Sequence, residues 1–169
     1  GAIGVAGIEV DNEHDEVVGM ICVKKEDKSR TVLVVSEKGF GKRTAFTDES
    51  GEDVYRITNR GGKGVKTINV TDKTGGLVGI LDVNEAEDLM ITCKSGITIR
   101  MAVNQVSEQG RATQGVKLIR LDEDDAIAAI TQLSRYGAEN GNDESEEPKA
   151  DEGGSNDAEN GNAEDNVQE

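Results

Sequence analysis

Gly64-Val65-Lys66-Thr67-Ile68 returns 51 residues later as Gly115-Val116-Lys117-Leu118-Ile119, and Gly4-Val5-Ala6-Gly7-Ile8 precedes it by 60. A second echo follows, with its glycine 15 residues behind each of the first two: Val18-Gly19-Met20-Ile21-Cys22-Val23, then Val78-Gly79-Ile80-Leu81-Asp82-Val83. Ala128-Ala129-Ile130-Thr131-Gln132-Leu133 is a weaker third copy. Short β-branched runs repeated at this period mean strand units stacked radially or in line, because one such unit cannot bury its apolar face alone.

Between the echoes lie hairpins. Ile97-Thr98-Ile99-Arg100-Met101-Ala102-Val103 alternates, placing Ile97, Ile99, Met101 and Val103 on one face and Arg100 on the other. Leu89-Met90-Ile91-Thr92-Cys93 stands before it, and Lys94-Ser95-Gly96 reads as the turn. The same hairpin occurs 57 residues earlier, with Val32-Leu33-Val34-Val35, the turn Glu37-Lys38-Gly39, and Phe40-Gly41-Lys42-Arg43-Thr44-Ala45-Phe46. A unit is thus four strands, namely a Gly-Val strand, a Val-Gly strand and a hairpin of two more, and the chain holds about two and a half units. Arg43 to Gly64 is 21 residues but Arg100 to Gly115 only 15, so the variation falls in a loop. The pattern predicts an all-β fold of four-stranded antiparallel blades. Only residues 125–134 compete as a helix.

Charge divides the chain. Residues 137–169 carry 12 acidic side chains and one basic, Lys149, whereas residues 1–136 carry 22 acidic and 18 basic. The tail's few aliphatic side chains cannot offset the entropy of ordering it, so it is expected to be a disordered acidic tail behind a folded body of residues 1–136. No apolar run approaches the length of a membrane helix, and no signal-peptide pattern is present. Gly1 in place of Met, entering directly at a repeat motif, reads as a fragment or processed piece. Cys22 and Cys93 lie in apolar strand patterns and are expected to be buried, reduced thiols. His14 is the one histidine, so no His-based catalytic or metal cluster has material to build on.

Three further runs give the body a relative: Val54-Tyr55-Arg56-Ile57-Thr58-Asn59-Arg60-Gly61-Gly62-Lys63-Gly64-Val65-Lys66, Gly39-Phe40-Gly41-Lys42-Arg43-Thr44, and Gly110-Arg111-Ala112-Thr113-Gln114-Gly115-Val116. Over residues 1–136 the chain resembles the C-terminal domain of the A subunit of DNA gyrase. The resemblance implies a propeller-like β-pinwheel, with strands exchanged between blades and duplex DNA wrapped on its rim. It also implies a bacterial cytoplasmic setting and partners in the rest of the gyrase A subunit and in the gyrase B subunit, as an A2B2 holoenzyme. That holoenzyme supercoils DNA negatively, with ATP and Mg²⁺ used by other parts, so no cofactor is expected here. The nucleophilic tyrosine of the family lies outside such a fragment, and neither Tyr55 nor Tyr136 inherits its role. The family's Gln-Arg-Arg-Gly-Gly-Lys/Arg-Gly box is echoed only in degenerate form by Asn59-Arg60-Gly61-Gly62-Lys63-Gly64.

Arg60, Gly61, Gly62, Lys63 and Lys66 form the strongest candidate site, since glycines admit a phosphate to the backbone and cations neutralise it. A glycine-rich turn with solvated charges is the plainer alternative. The pattern of a nucleotide-binding Gly-x4-Gly-Lys-Ser/Thr loop is not met. Arg43 and Arg100, on equivalent strands and away from the apolar face, would join Arg56, Arg111 and Lys117 in a basic track suited to phosphates rather than bases. Lys42 stands where the other unit has Ile99, which leaves its direction open. Two Phe and two Tyr are too few for a single-strand stacking platform. Asp122-Glu123-Asp124-Asp125 lacks the spacing of a calcium loop and reads as a solvated charge run. Three rival readings stay open: a topoisomerase IV-type pinwheel, a protein-interaction scaffold, and an enzyme for a phosphorylated metabolite. Salt-sensitive binding to plain duplex DNA separates the scaffold from the DNA binder.

Overall fold

The computed structural model describes residues 3–11, 13–24 and 27–134. Its elements are β1 (Arg30–Ser36), β2 (Phe40–Ala45), β3 (Leu77–Asn84), β4 (Asp88–Cys93), β5 (Thr98–Ala102), a 3₁₀ turn (Val103–Gln105), β6 (Val116–Lys117) and β7 (Ile127–Leu133). Both hairpins form where the alternation predicts them, in the registers Leu33↔Arg43 and Ile91↔Ile99. Their turns close through Gly39 (φ +82) and Gly96 (φ +90), the left-handed region that glycine enters without steric cost. Within the 125–134 stretch, β7 (Ile127–Leu133) is strand rather than helix and pairs along β4.

Two antiparallel sheets result, with strand orders β3-β1-β2-β6 and β5-β4-β7. Neither is one repeat unit. Each hairpin takes the Val-Gly strand of the next unit on its first strand, β3 on β1 and β7 on β4. The first hairpin also takes the Gly-Val strand of the unit after that, β6, on its second strand. The sequence pattern shows the strands but not this exchange, because every exchanged pairing is remote in sequence.

The exchange explains which expected strands are missing. Residues 4–8 and 64–68 form no strand, and Ile8 makes only an isolated parallel bridge to Gly62. Residues 18–23 likewise remain irregular, with Met20 91 % exposed. By the same rule, runs 18–23 and 64–68 would flank a hairpin other than β1–β2 and β4–β5, and no further hairpin is found among the described residues. Without a ladder partner an apolar run has no sheet to join. Cys22 falls in this segment and is exposed, contrary to expectation, whereas Cys93 on β4 is buried.

β1 is buried on both faces. Leu33 and Val35 meet Val83, Leu89, Ile91, Val103, Val106 and Ile127 between the sheets. Val32 and Val34 pack on Ile68, with Ile21, Phe46 and Tyr55 outside them. The sheets therefore stack face to face, and each buried aliphatic side chain contributes about 1.5–3 kcal/mol. The predicted tail, residues 137–169, and Tyr136 lie outside the described residues.

Candidate nucleic-acid interface

β2 places its two cations on opposite faces, and both are buried. Lys42 is 0 % exposed, and its Nζ donates to the carbonyl oxygens of Gly110 and Arg111 and to Thr113 Oγ1, at 2.6, 2.5 and 3.1 Å. An ammonium has three N–H donors, so this set is complete, yet no carboxylate among the described residues balances the charge. Burial, and then the charge of Arg111, lower its pKa to about 8.

Arg43 is 5 % exposed; its Nε donates to the Val106 carbonyl at 2.7 Å and its Nη1 pairs with Glu85 at 2.9 Å. The expected outward face of Arg43 is covered because a connecting segment runs along β2. Arg43 N–H bonds to Ser107 O, and Gln109 N–H to Arg43 O. Arg43 thus acts as an internal brace between the repeats. Arg100, its equivalent, lies on the uncovered β5 edge with 54 % of its side chain exposed, and it pairs with Asp88 at 2.6 Å. Equivalent positions in the repeat have unequal surroundings.

A turn closed by Thr113 N–H to Gly110 O follows that segment. It docks on the neighbouring unit twice, through Arg111 Nη1 to Lys66 O at 3.3 Å and Asn69 N–H to Thr113 O at 3.0 Å. Arg111 and Lys66, 45 residues apart, are thereby brought side by side. Lys66 itself is exposed and reaches Asn69 Oδ1 at 3.5 Å. Neither cation has a carboxylate within ion-pair distance among the described residues.

Arg60, Gly61, Gly62 and Lys63 continue outward from Lys66 as an irregular loop. Gly61 (φ +75) donates to Gly7 O, and Gly62 O accepts from Glu9 N–H. Arg60 and Lys63 are exposed, but Lys63 shares a cavity of about 420 Å³ with Glu9, Asp11 and Asp15, whose charges oppose an anion there. Arg56 is exposed, with no ion-pair partner among the described residues, beside Tyr55, whose hydroxyl is 2.8 Å from Thr67 Oγ1.

Lys117 belongs to a separate cluster. Its Nζ and that of Lys73 lie 6.0 and 5.5 Å from the Phe40 ring centroid, and Lys38 lines the same cavity of about 490 Å³. Asp122, Glu123 and Asp125 line the same cavity. Asp125 accepts from Ser95 N–H and Oγ, and these bonds hold its carboxyl below the usual range, so this part of the acidic run pins the β4–β5 turn. Residue types alone did not point to Lys38, Lys42 or Lys73. Lys42 in an otherwise aliphatic hairpin position was the available signal.

Comparison with known proteins agrees with this architecture. The family profile described as the DNA gyrase C-terminal domain, β-propeller, matches residues 1–24, 30–84 and 87–134. The last two segments each begin at a hairpin and end with the strand handed to it or to its neighbour. The A subunit of DNA gyrase from Staphylococcus aureus strain MRSA252 is 43% identical over 143 residues, covering 85% of this chain. The protein of strain NCTC 8325 is 45% identical over 132 residues, 78% of this chain. The chain spans only 15% and 14% of the lengths of these relatives. A solved DNA gyrase A C-terminal domain superposes with TM-score 0.54 at 26% identity, over 64% of this chain and 34% of the other. The C-terminal domain of a DNA topoisomerase IV superposes with TM-score 0.63 over 77% and 38%, but at 13% identity it shows the fold alone.

Proposed function

The chain belongs to the DNA gyrase C-terminal domain family, and from that premise we propose that it binds duplex DNA by its phosphates and bends it along the rim of the blades. The observation that carries the reading is the meeting of Lys66 and Arg111, cations of successive repeats, on adjoining loops without acidic partners among the described residues. Repetition of such a junction from blade to blade makes a curved phosphate track, and a track that ignores bases suits wrapping. Arg60 extends it, with Arg56, Arg100 and Lys117 more distant contributors and Lys63 set against the carboxylates of Glu9, Asp11 and Asp15; Arg43 serves it only by bracing the sheet. In this reading the parent is a cytoplasmic, chromosome-associated bacterial enzyme. The rest of the gyrase A subunit and the gyrase B subunit supply the cleavage tyrosine, ATP hydrolysis and Mg²⁺ for negative supercoiling.

Titration against two unrelated duplexes at several salt concentrations tests the reading. Lys66→Ala with Arg111→Ala is expected to weaken binding equally for both sequences and to reduce the log–log salt slope by about 0.9 for each phosphate no longer neutralised. An unchanged slope, or a weakening confined to one sequence, overturns it.

A further inference from the structure

Lys42 grips two successive carbonyls, those of Gly110 and Arg111, from inside the sheet. In a planar trans peptide the N–H points opposite to the C=O. The N–H groups sharing those peptides belong to Arg111 and Ala112, and both are therefore turned away from Lys42. Neither donates to another group of the chain among the described residues. Of the two donor residues, Ala112 is exposed and Arg111 partly exposed, so the donors lie at the surface of the turn. Successive outward N–H groups of a turn form a concavity that accepts anionic oxygen. The Arg111 guanidinium and Lys66 stand beside it, and the buried Lys42 charge lies behind it.

We infer that the 110–113 turn is a main-chain seat for one phosphate of duplex DNA, with Lys42 as the positioning residue that holds its two N–H donors outward. The seat rests on the DNA-binding reading above and adds to it two hydrogen bonds that involve no side chain. Lys42 touches no ligand; it acts through the turn. Its burial without a counter-carboxylate fits this role, since a carboxylate partner would cancel the positive potential behind the seat.

Arg111→Ala and Arg111→Pro separate the seat from the side chain. Both lack the guanidinium, and proline suits the first central position of a turn, but only proline removes the N–H. Duplex titrations with the whole chain should show Arg111→Ala losing about 0.9 from the salt slope. Arg111→Pro should keep that reduced slope and bind about tenfold more weakly still, as a charge-assisted hydrogen bond is lost. In a Lys42→Met background the Ala and Pro variants should bind alike, because the N–H is no longer aimed. Circular dichroism and melting of each variant check that the sheet persists. Equal binding of Arg111→Ala and Arg111→Pro with Lys42 intact overturns the seat. A Pro-versus-Ala difference that survives Lys42→Met overturns the role of Lys42. Absence of salt-sensitive binding by the unsubstituted chain would instead remove the DNA reading itself.

Discussion

Lys42 and Arg43 are adjacent on β2, point to opposite faces and are both buried, yet they are satisfied differently. Arg43 has a carboxylate and a carbonyl; Lys42 has only neutral acceptors. An uncompensated ammonium at zero exposure is held at a cost, and its pKa of about 8 against 10.5 in the unfolded chain records that cost. Between these values the unfolded state binds the proton more tightly, so this group adds stability as pH rises through the window and loses it again as pH falls towards 8. Urea unfolding at pH 7 and pH 9.5 is expected to show the native chain gaining on Lys42→Met, at up to about 1.4 kcal/mol per pH unit. A pH-independent difference between the two would mean that Lys42 is not the titrating group. The direction of Lys42 was not readable from sequence, because its acceptors lie 68 to 71 residues away. For the same reason the sequence placed Arg43 outside. Alternation reports two faces of a strand but not what a later segment lays over them.

At the scale of elements, local pairings were readable from the residue pattern, and exchanged ones only through the family resemblance. The hairpins need only alternation, a turn and a glycine, all contiguous. β6 is two residues long and exists because Gly115 (φ +80) packs directly on Gly41 of β2. A Cβ on Gly115 would lie 2.6 Å from the Gly41 carbonyl oxygen. Gly115→Ala is therefore expected to cost about 1–3 kcal/mol in backbone strain alone, and more from the clash. It should also free β6 from Phe40 and Gly41, and with it the turn that carries Arg111. Gly96→Ala is the control: it has a similar φ but nothing within 4 Å of the added carbon, and it should cost only the strain. Chemical denaturation measures both costs. Amide exchange at Leu118, which donates to Gly39 O, reports whether β6 has left the sheet. Equal stability losses, with Leu118 still protected, would remove β6 from the account.

For the whole molecule the distribution of charge decides more than the fold does. The body of residues 1–136 carries a net −4 and the remaining 33 residues −11. Among the described residues, Arg60, Lys63 and Lys66 of the 60–66 loop and Arg111 of the 110–113 turn have no ion pair, while Arg30, Arg43 and Arg100 are already paired within the body. Covalent attachment keeps the tail's carboxylates at an effective concentration on the order of millimolar around those cations. They carry the same sign as the phosphates, so a tail that reaches these loops would compete with DNA for them. Removing residues 137–169 should therefore strengthen duplex binding at about 50 mM salt, and the gain should shrink near 200 mM as screening shortens the reach of each charge. A tail that serves solubility alone predicts equal affinities for the full and truncated chains at both salts. Combining the truncation with Lys66→Ala and Arg111→Ala locates the competition. If the tail covers that junction, the gain from truncation falls when the two cations are absent, and a gain of unchanged size would place the tail elsewhere on the body.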